Sequence, residues 1–284
     1  MKLAYTSEEV ELWRDKIHRR NPRLAVKSKA QALRFIEDVG FCFAFKSENS
    51  ESPCLWHAAL GTRNPEMPKH THHDPYLSFV WEMKNILPSE RKIYYGKLLK
   101  HRPTMISMAY FPHFYALSER TGTPDEYLDE FSRGKLSPVA KAIMDSLADT
   151  SPQVTKGLKL ATGNHTKGDR AVFDKAIAEL QSKMFIVKVA EHHEPFTFEW
   201  APVHSTFPAM VRKSRKISAP IARCAILERY FRNQLIGTVD AIHRLFGWKK
   251  QIVYQSLGKM VEEGIIIPNV RVDGKDSKYY CLVH

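Results

Sequence analysis

Apolar side chains recur at helical spacing in three stretches between residues 137 and 184. Residues 137–149 begin with Ser137, a preferred helix cap, and Pro138, which suits the first helical turn. Apolar side chains then follow at helical spacing, which predicts a helix. The same periodicity predicts a second helix at 152–162 and a third at 166–184.

The pattern changes to strict alternation directly after the third helix. Residues 185–189 and 196–200 alternate apolar and polar side chains on either side of a polar turn, which predicts a two-stranded hairpin. Three helices followed by a hairpin is the order of elements in a winged helix.

This order returns about 80 residues later along the chain. Helices are predicted at 219–234, 238–246 and 249–263, and strands at 265–272 and 279–283. An Asp-Gly dipeptide, a frequent hairpin turn, separates the two strands. We therefore expect a mainly α fold with small β-wings, made of tandem winged-helix (helix-turn-helix) domains.

The first half of the chain has a less regular pattern. It predicts helices at 7–19 and 28–38, an apolar strand-like run at 40–45, a loop-rich stretch at 46–75, and buried helical segments at 75–102 and 105–117. Whether this half contains a third, divergent winged helix stays open on the pattern alone.

These elements divide the chain into four parts. We expect an N-terminal, mainly helical domain at 1–134, a winged-helix domain at 135–204, a basic linker at 205–218 and a C-terminal winged-helix domain at 219–284.

Positive charge is concentrated at the end of the chain. The formal net charge is +12, of which residues 1–50 carry +3, residues 51–133 carry 0, residues 134–204 carry +1 and residues 205–284 carry +8. Clustered Lys and Arg favour an anionic partner because they replace the counterions of a phosphate backbone. This predicts duplex DNA as the first choice of partner and a membrane surface as the second.

The predicted domains indicate which residues would contact DNA. In a helix-turn-helix, the second helix places its N-terminal residues in the major groove, and the wing lies against the neighbouring backbone. The candidate DNA-binding residues are Lys167, Arg170, His192, His193, Arg212, Lys213, Arg215, Lys216, Lys249, Lys250, Gln251, Tyr254, Lys275 and Lys278. The alternative is that these domains contact proteins and the charges are only solvated, an alternative that is stronger for the nearly neutral first copy.

The sequence gives little indication of a metal site or a disulfide framework. The run His70-Thr71-His72-His73-Asp74 lacks the ligand spacing of zinc enzymes, and four scattered cysteines form no metal or disulfide framework. We therefore expect no metal. The chain shows neither an apolar run long enough to span a membrane nor an apolar signal core, so we expect a cytoplasmic protein.

Three short segments, together with the paired winged units, carry a family resemblance. They are Phe35-Ile36-Glu37-Asp38-Val39-Gly40-Phe41-Cys42-Phe43, Trp81-Glu82-Met83-Lys84 and Tyr94-Tyr95-Gly96-Lys97. From about residue 28 onward, the chain resembles the AlkZ/YcaQ-type DNA glycosylases, and particularly the AlkZ-related proteins. The resemblance implies winged helices that form a C-shaped basic channel around duplex DNA, and removal of alkylated or crosslinked bases without a metal or organic cofactor.

The chain departs from this family at its active-site motif. Active members carry a Gln-x-Gln or Gln-x-Asp pair that holds the attacking water, whereas the corresponding stretch here is Gly40-Phe41-Cys42-Phe43-Ala44-Phe45. The remaining candidates for catalysis are Asp38, His73 and Asp74, with Glu37 and Glu48 as further substitutes.

The resulting hypothesis is a duplex DNA-binding protein, with a monomer favoured, on a DNA-repair-glycosylase-like scaffold. Hydrolysis of the N-glycosidic bond by a monofunctional glycosylase stays open. The alternatives are a DNA-binding protein or transcriptional regulator without enzymatic activity, and a scaffold for protein contacts.

Overall fold

A computed structural model describes residues 3–45, 51–69, 73–163 and 169–283. The fold is mostly helical with some sheet. The helices are α1 Ser7–Ile17, α2 Lys29–Val39, α3 Leu55–Leu60, α4 Pro75–Ser89, α5 Phe111–Ala116, α6 Glu126–Ser132, α7 Pro138–Asp149, α8 Thr155–Ala161, α9 Arg170–Ser182, α10 Val203–Thr206, α11 Pro208–Ser214, α12 Ala219–Gln234, α13 Val239–Phe246 and α14 Lys250–Glu262. The strands are β1 Ala4–Tyr5, β2 Phe41–Phe43, β3 Ile93–Gly96, β4 Thr104–Ser107, β5 Gln153–Val154, β6 Ile186–His193, β7 Phe196–Pro202, β8 Ile236–Gly237, β9 Ile266–Val272 and β10 Tyr279–Leu282.

One arrangement of elements occurs three times along the chain. We call its copies the first unit (29–107), the central unit (138–202) and the C-terminal unit (219–282). Each runs helix, strand, helix, helix, strand, strand. In each, the last strand lies between the other two and pairs antiparallel with both, which gives the strand orders β2-β4-β3, β5-β7-β6 and β8-β10-β9.

The helices and hairpins predicted in the second half of the chain are found, with one correction: residues 153–154, expected to begin the second helix, form strand β5, which pairs with β7. The predicted start of the third helix, at residue 166, lies outside the described residues. Ser137 caps α7 by accepting a hydrogen bond from the Ala140 amide, as its position before Pro138 predicts. Thr238 caps α13 in the same way through the Ala241 amide. The core of the central unit is formed by the apolar faces of its helices.

The first unit contains two strands that the apolar pattern failed to predict. The helix expected at 75–102 ends at Ser89 and is followed by β3, and the segment expected to be helical at 105–117 begins with β4. Every residue of β4 is buried. A strand that is buried on both faces shows no alternation, so its apolar run looks like that of a buried helix. The stretch at 46–75 that was expected to be loop-rich also contains α3.

The basic segment at 205–218 is largely helical, which corrects the expectation of a linker. It comprises the end of α10 and all of α11, and it contacts α5. Val211 is 2% exposed and lies in the largest apolar core. This burial holds the segment against the body of the protein, while its basic side chains face outward.

The N-terminus joins the C-terminal unit, which the pattern also did not predict. Strand β1 pairs parallel with β9, and α1 contacts α12. The indole Nε1 of Trp13 donates to the Arg232 carbonyl at 3.0 Å, and the imidazole Nε2 of His18 donates to the Asn233 carbonyl at 3.0 Å. Burial, followed by nearby arginines, lowers the pKa of His18 well below its usual value, so this imidazole is neutral.

A buried group of charges connects the first unit to the central unit. The ammonium groups of Lys84 on α4 and Lys188 on β6 lie 3.2 and 2.6 Å from the same carboxylate oxygen of Glu191. The side chains of all three residues are 4–6% exposed. The Asn85 amide oxygen accepts from both lysines, at 3.0 and 2.9 Å. We call Lys84, Asn85, Lys188 and Glu191 the lysine–glutamate cluster.

Candidate nucleic-acid interface

The turn between α13 and α14 presents the predicted recognition helix. Gly247 adopts a left-handed conformation with φ 72°, which ends α13 without strain. The His243 ring Nδ1 donates to the Trp248 carbonyl at 2.7 Å, and the Trp248 ring stacks on Phe246 at 4.6 Å. These contacts fix the direction in which α14 leaves the turn.

The predicted contact residues of α14 lie on its outer face. Lys249, Lys250, Gln251 and Tyr254 are exposed, with Tyr254 57% exposed, whereas Val253 on the opposite face is fully buried. This division follows from the 3.6-residue period of the helix.

One of these lysines forms an exposed ion pair. The ammonium of Lys250 lies 2.6 Å from the carboxylate of Asp240 on α13. An exposed pair of this kind is weak and is readily exchanged for a phosphate oxygen.

The hairpin of the C-terminal unit lies on the same part of the molecule. Lys275 and Lys278 are exposed in the turn between β9 and β10. The start of this turn is held by the N-terminal strand, because the Asp273 amide donates to the Tyr5 carbonyl at 3.0 Å. Burial, and then the neighbouring Tyr254, raises the pKa of Tyr280 on β10, which places α14 next to the hairpin.

The candidates of the central unit have acidic neighbours. Arg170 begins α9 and lies 3.6 Å from Asp174, and His192 lies 3.8 Å from Glu199 across the hairpin. His193 is exposed near the hairpin tip. Lys167 lies outside the described residues.

The basic run on α11 is exposed. Arg212, Lys213, Arg215 and Lys216 all face solvent. The guanidinium of Arg215 also donates to the Thr121 carbonyl at 2.6 Å, so part of its hydrogen-bonding capacity is used within the fold.

Two of the three catalytic candidates are engaged in contacts within the fold. Asp38 is exposed and forms an ion pair with Arg19 at 2.7 Å. The Asp74 carboxylate caps α4 by accepting from the Leu77 amide at 2.7 Å, and His73 is exposed just before it. Glu48, like His70 and His72, lies outside the described residues.

The strand that replaces the family's glutamine pair is fully buried. Phe41, Cys42, Phe43 and Ala44 are each 0–1% exposed. The Phe41 ring contacts the ring of Phe246 in the C-terminal unit at 5.8 Å. Burial raises the pKa of the Cys42 thiol well above its usual value, so this thiol is not a nucleophile. In this stretch, no polar side chain faces solvent.

A polar cleft separates the N-terminal region from the C-terminal unit. Its volume is about 580 Å³, and its walls come from α1, the residues near α3, the turn before β4 and the C-terminal unit. It is lined by five cationic residues and two carboxylates: Arg14, Arg20, Arg63, Lys100, Arg244, Glu11 and Glu51. None of Asp38, His73 and Asp74 lines it.

Several of these charges form ion pairs across the cleft wall. Arg14 lies 2.6 Å from Glu51, and Arg20 lies 2.8 Å from Glu11. The turn that carries Lys100 contacts α13, which carries Arg244. Burial, then Arg244 and Arg102, lowers the pKa of Lys100, so the fold brings these three cations near one another. The cleft was missed at the sequence level because its walls come from segments more than 200 residues apart.

Within residues 3–45, 51–69, 73–163 and 169–283, no cluster of three or more His, Cys, Asp or Glu side chains is arranged to hold a metal ion. No helix in these same ranges combines the length and the apolar character needed to cross a membrane.

Comparisons with known proteins agree on the fold. The chain matches the family described as AlkZ related over residues 26–230. The DNA glycosylase AlkZ of Streptomyces sahachiroi is similar in structure, with a TM-score of 0.62 and 13% sequence identity over 100% of this chain and 71% of that chain. A sequence search of the curated proteins finds no match. Because the family match covers well over half of the sequence, the chain belongs to the AlkZ-related family.

Proposed function

We propose that this protein binds duplex DNA through the outer face of α14 and the hairpin of the C-terminal unit. The observation that carries the proposal is the position of Lys249, Lys250, Gln251 and Tyr254 on one exposed helix face, next to a hairpin with two exposed lysines. Membership of the AlkZ-related family and the structural similarity to a DNA glycosylase support it.

The three units support a tandem winged-helix assignment. Their shared strand order, with the last strand in the middle, is that of a winged helix, and it makes the first unit the third member of the series. In the C-terminal unit, α14 is the helix that would enter the major groove, and the β9–β10 hairpin is the wing. Arg212, Lys213 and Lys216 are further exposed cations, and we propose that they add phosphate contacts.

The polar cleft is the second part of the proposed interface. Lys100 and Arg244 line it from two different units, Arg102 lies near Lys100, and we propose that these cations contact DNA phosphates. None of the three was a sequence-level candidate. Because the cleft is polar and basic, it suits the sugar-phosphate backbone better than an apolar partner.

Base excision is the second candidate function. A bond that breaks through an oxocarbenium-like state needs a nearby carboxylate or an oriented water. In this cleft, Glu11 and Glu51 offer carboxylates, and the side chain of Glu51 is 68% exposed. Against this candidate, the stretch that carries the glutamine pair in active relatives is buried and apolar. Binding without excision is therefore the function that we favour.

Fluorescence anisotropy with two duplexes tests binding, and release of free base from alkylated DNA tests excision. One duplex carries an abasic-site mimic, and the other is its undamaged twin. We expect tight binding of both at low salt and no release of free base from alkylated DNA. If the wild type released free base and the Glu51→Gln variant did not, excision would be established instead. Absence of binding to either duplex would reject the proposal.

A further inference from the structure

The lysine–glutamate cluster contains more positive charge than a structural bridge requires. Lys84 and Glu191 alone would connect α4 to β6. Lys188 adds a second ammonium to the same carboxylate oxygen, so two buried cations share one buried anion. Burying an unbalanced charge is costly, and such groups are concentrated at functional sites.

The cluster borders a cavity. A space of about 260 Å³ lies between the first and central units, and both Lys84 and Lys188 line it. Its other walls include the rings of Tyr95, Phe198 and Trp200. The Lys188 ammonium lies 5.3 Å from the centre of the Tyr95 ring and 5.0 Å from that of Phe198. A small molecule with an apolar or aromatic body fits this environment.

The surroundings of Lys188 increase the fraction of its side chain that is a neutral amine. Burial lowers the pKa of Lys188 to about 8, opposed by its hydrogen bond to Glu191 and reinforced by the charge of Lys84. The pKa of Glu191 is itself lowered: burial acts against this, but the hydrogen bond from Lys188 and the charges of both lysines outweigh it. The carboxylate is therefore ionised at neutral pH and accepts the hydrogen bond from Lys188.

We propose that Lys188 is a nucleophile that forms an imine with an aldehyde or ketone bound in this cavity. A desolvated lysine beside a second cation is a known arrangement for an imine-forming amine. This inference does not depend on DNA binding by the C-terminal unit.

The reaction balances without a further reactant. The Lys188 ammonium loses its proton to solvent, and the neutral Nζ then adds to the carbonyl carbon. The resulting carbinolamine loses water, and the products are one imine and one water molecule. Neither oxidant nor reductant takes part.

Two sources of aldehyde share this chemistry, and trapping distinguishes them. The full-length protein would be incubated with benzaldehyde or with a duplex carrying an abasic site, each with cyanoborohydride, which reduces an imine to a stable amine. Peptide mass spectrometry then locates the modified lysine. At pH 7.5, a lysine with a pKa of about 8 has roughly a hundredfold more neutral amine than an ordinary lysine.

We expect Lys188 to be labelled at least about tenfold faster than the exposed Lys175, with a rate that rises to a plateau above pH 8. Labelling by benzaldehyde alone would identify a small carbonyl ligand, and labelling by the abasic duplex would identify the sugar aldehyde. If neither reagent labels Lys188 faster than Lys175, the proposal is wrong.

Two variants separate the nucleophile from a structural role. Lys188→Arg keeps the charge and should abolish labelling at this position. Lys84→Met removes the neighbouring cation, which should raise the pKa of Lys188. The inflection in a plot of the Lys188 labelling rate against pH should therefore move to higher pH. A thermal melt of each variant confirms folding. An unchanged inflection in a folded Lys84→Met protein would contradict the role given to the cluster.

Discussion

The central and C-terminal units share one topology but present different surfaces. The hairpin of the central unit contacts α4 of the first unit, and its buried cluster joins the two. At the edge of the C-terminal hairpin, the short strand β1 pairs with β9, and the hairpin turn is exposed with Lys275 and Lys278. The comparison shows that one fold serves internal docking in one copy and leaves a basic surface open in another.

The third helices of the two units, α9 and α14, also differ in the charge that they expose. Helix α9 begins with Arg170, whose charge is opposed by Asp174 one turn later. Helix α14 presents two lysines, a glutamine and an exposed tyrosine at the same level. Residues 134–204 carry a net charge of +1, and residues 205–284 carry +8. We therefore assign DNA contact to the C-terminal unit in preference to the central one.

The largest expected effect concerns the docking role of the central hairpin. Glu191→Ala leaves two buried ammonium groups without their anion, and loss of one partner from a buried ion pair costs about 3–5 kcal/mol. We expect the free energy of unfolding in urea to fall by this amount. Glu199→Ala is the control, because Glu199 faces the exposed His192, and it should cost under about 1 kcal/mol. Equal losses in the two variants would contradict a docking role for the cluster.

A charge reversal tests the basic surface. Changing Lys249, Lys250, Lys275 and Lys278 to Glu should weaken duplex binding roughly a hundredfold at low salt, because phosphate contacts are lost. The matched control reverses Arg133, Lys135, Lys156 and Lys175, which are exposed in and beside the central unit and change the net charge equally. Anisotropy titrations should show only a small loss in the control. Equal weakening in both would mean that net charge, and not the C-terminal surface, determines affinity.

The cluster also predicts a pH dependence of stability. The pKa of Lys188 is lowered to about 8 in the folded protein, while that of an unfolded lysine is about 10.4. Between these values the unfolded chain binds more protons, so the contribution of Lys188 to the free energy of unfolding increases from pH 8 to pH 10. Urea titrations of the wild type and of Lys188→Met should differ in slope against pH across this range. Parallel curves would show that Lys188 titrates normally.

The smallest effect is expected from single aromatic residues. Tyr254→Ala removes an exposed ring from the proposed interface and should weaken duplex binding by roughly three- to tenfold. Phe196, 59% exposed at the tip of the central hairpin, provides the comparison. We expect Phe196→Ala to leave the affinity within about twofold of the wild type. The reverse order of effects would assign the interface to the central unit.

The sequence predicted the units with the clearest amphipathic periods. Helices α7, α13 and α14 each have one apolar face, and a period of 3.6 residues indicates them directly. Strands β3 and β4 were missed because burial on both faces removes the alternation that identifies a strand. Helix α11 was missed because basic residues surround the buried Val211.

The sites were less predictable than the fold. The basic residues of α14 and its hairpin follow from charge and element order, which are local properties. The cleft brings Arg14 together with Arg244, and the cluster brings Lys84 together with Glu191. Such pairs depend on how the units dock, and this docking rests on tertiary contacts that no local pattern encodes.

The salt dependence of duplex binding tests the central claim most directly. The logarithm of the binding constant falls with the logarithm of salt concentration by about 0.9 for each phosphate contact. Measured by anisotropy, the slope for the variant with Lys249, Lys250, Lys275 and Lys278 changed to Gln should be shallower than that of the wild type by about three to four. Equal slopes in the two proteins would contradict DNA contact through the C-terminal unit.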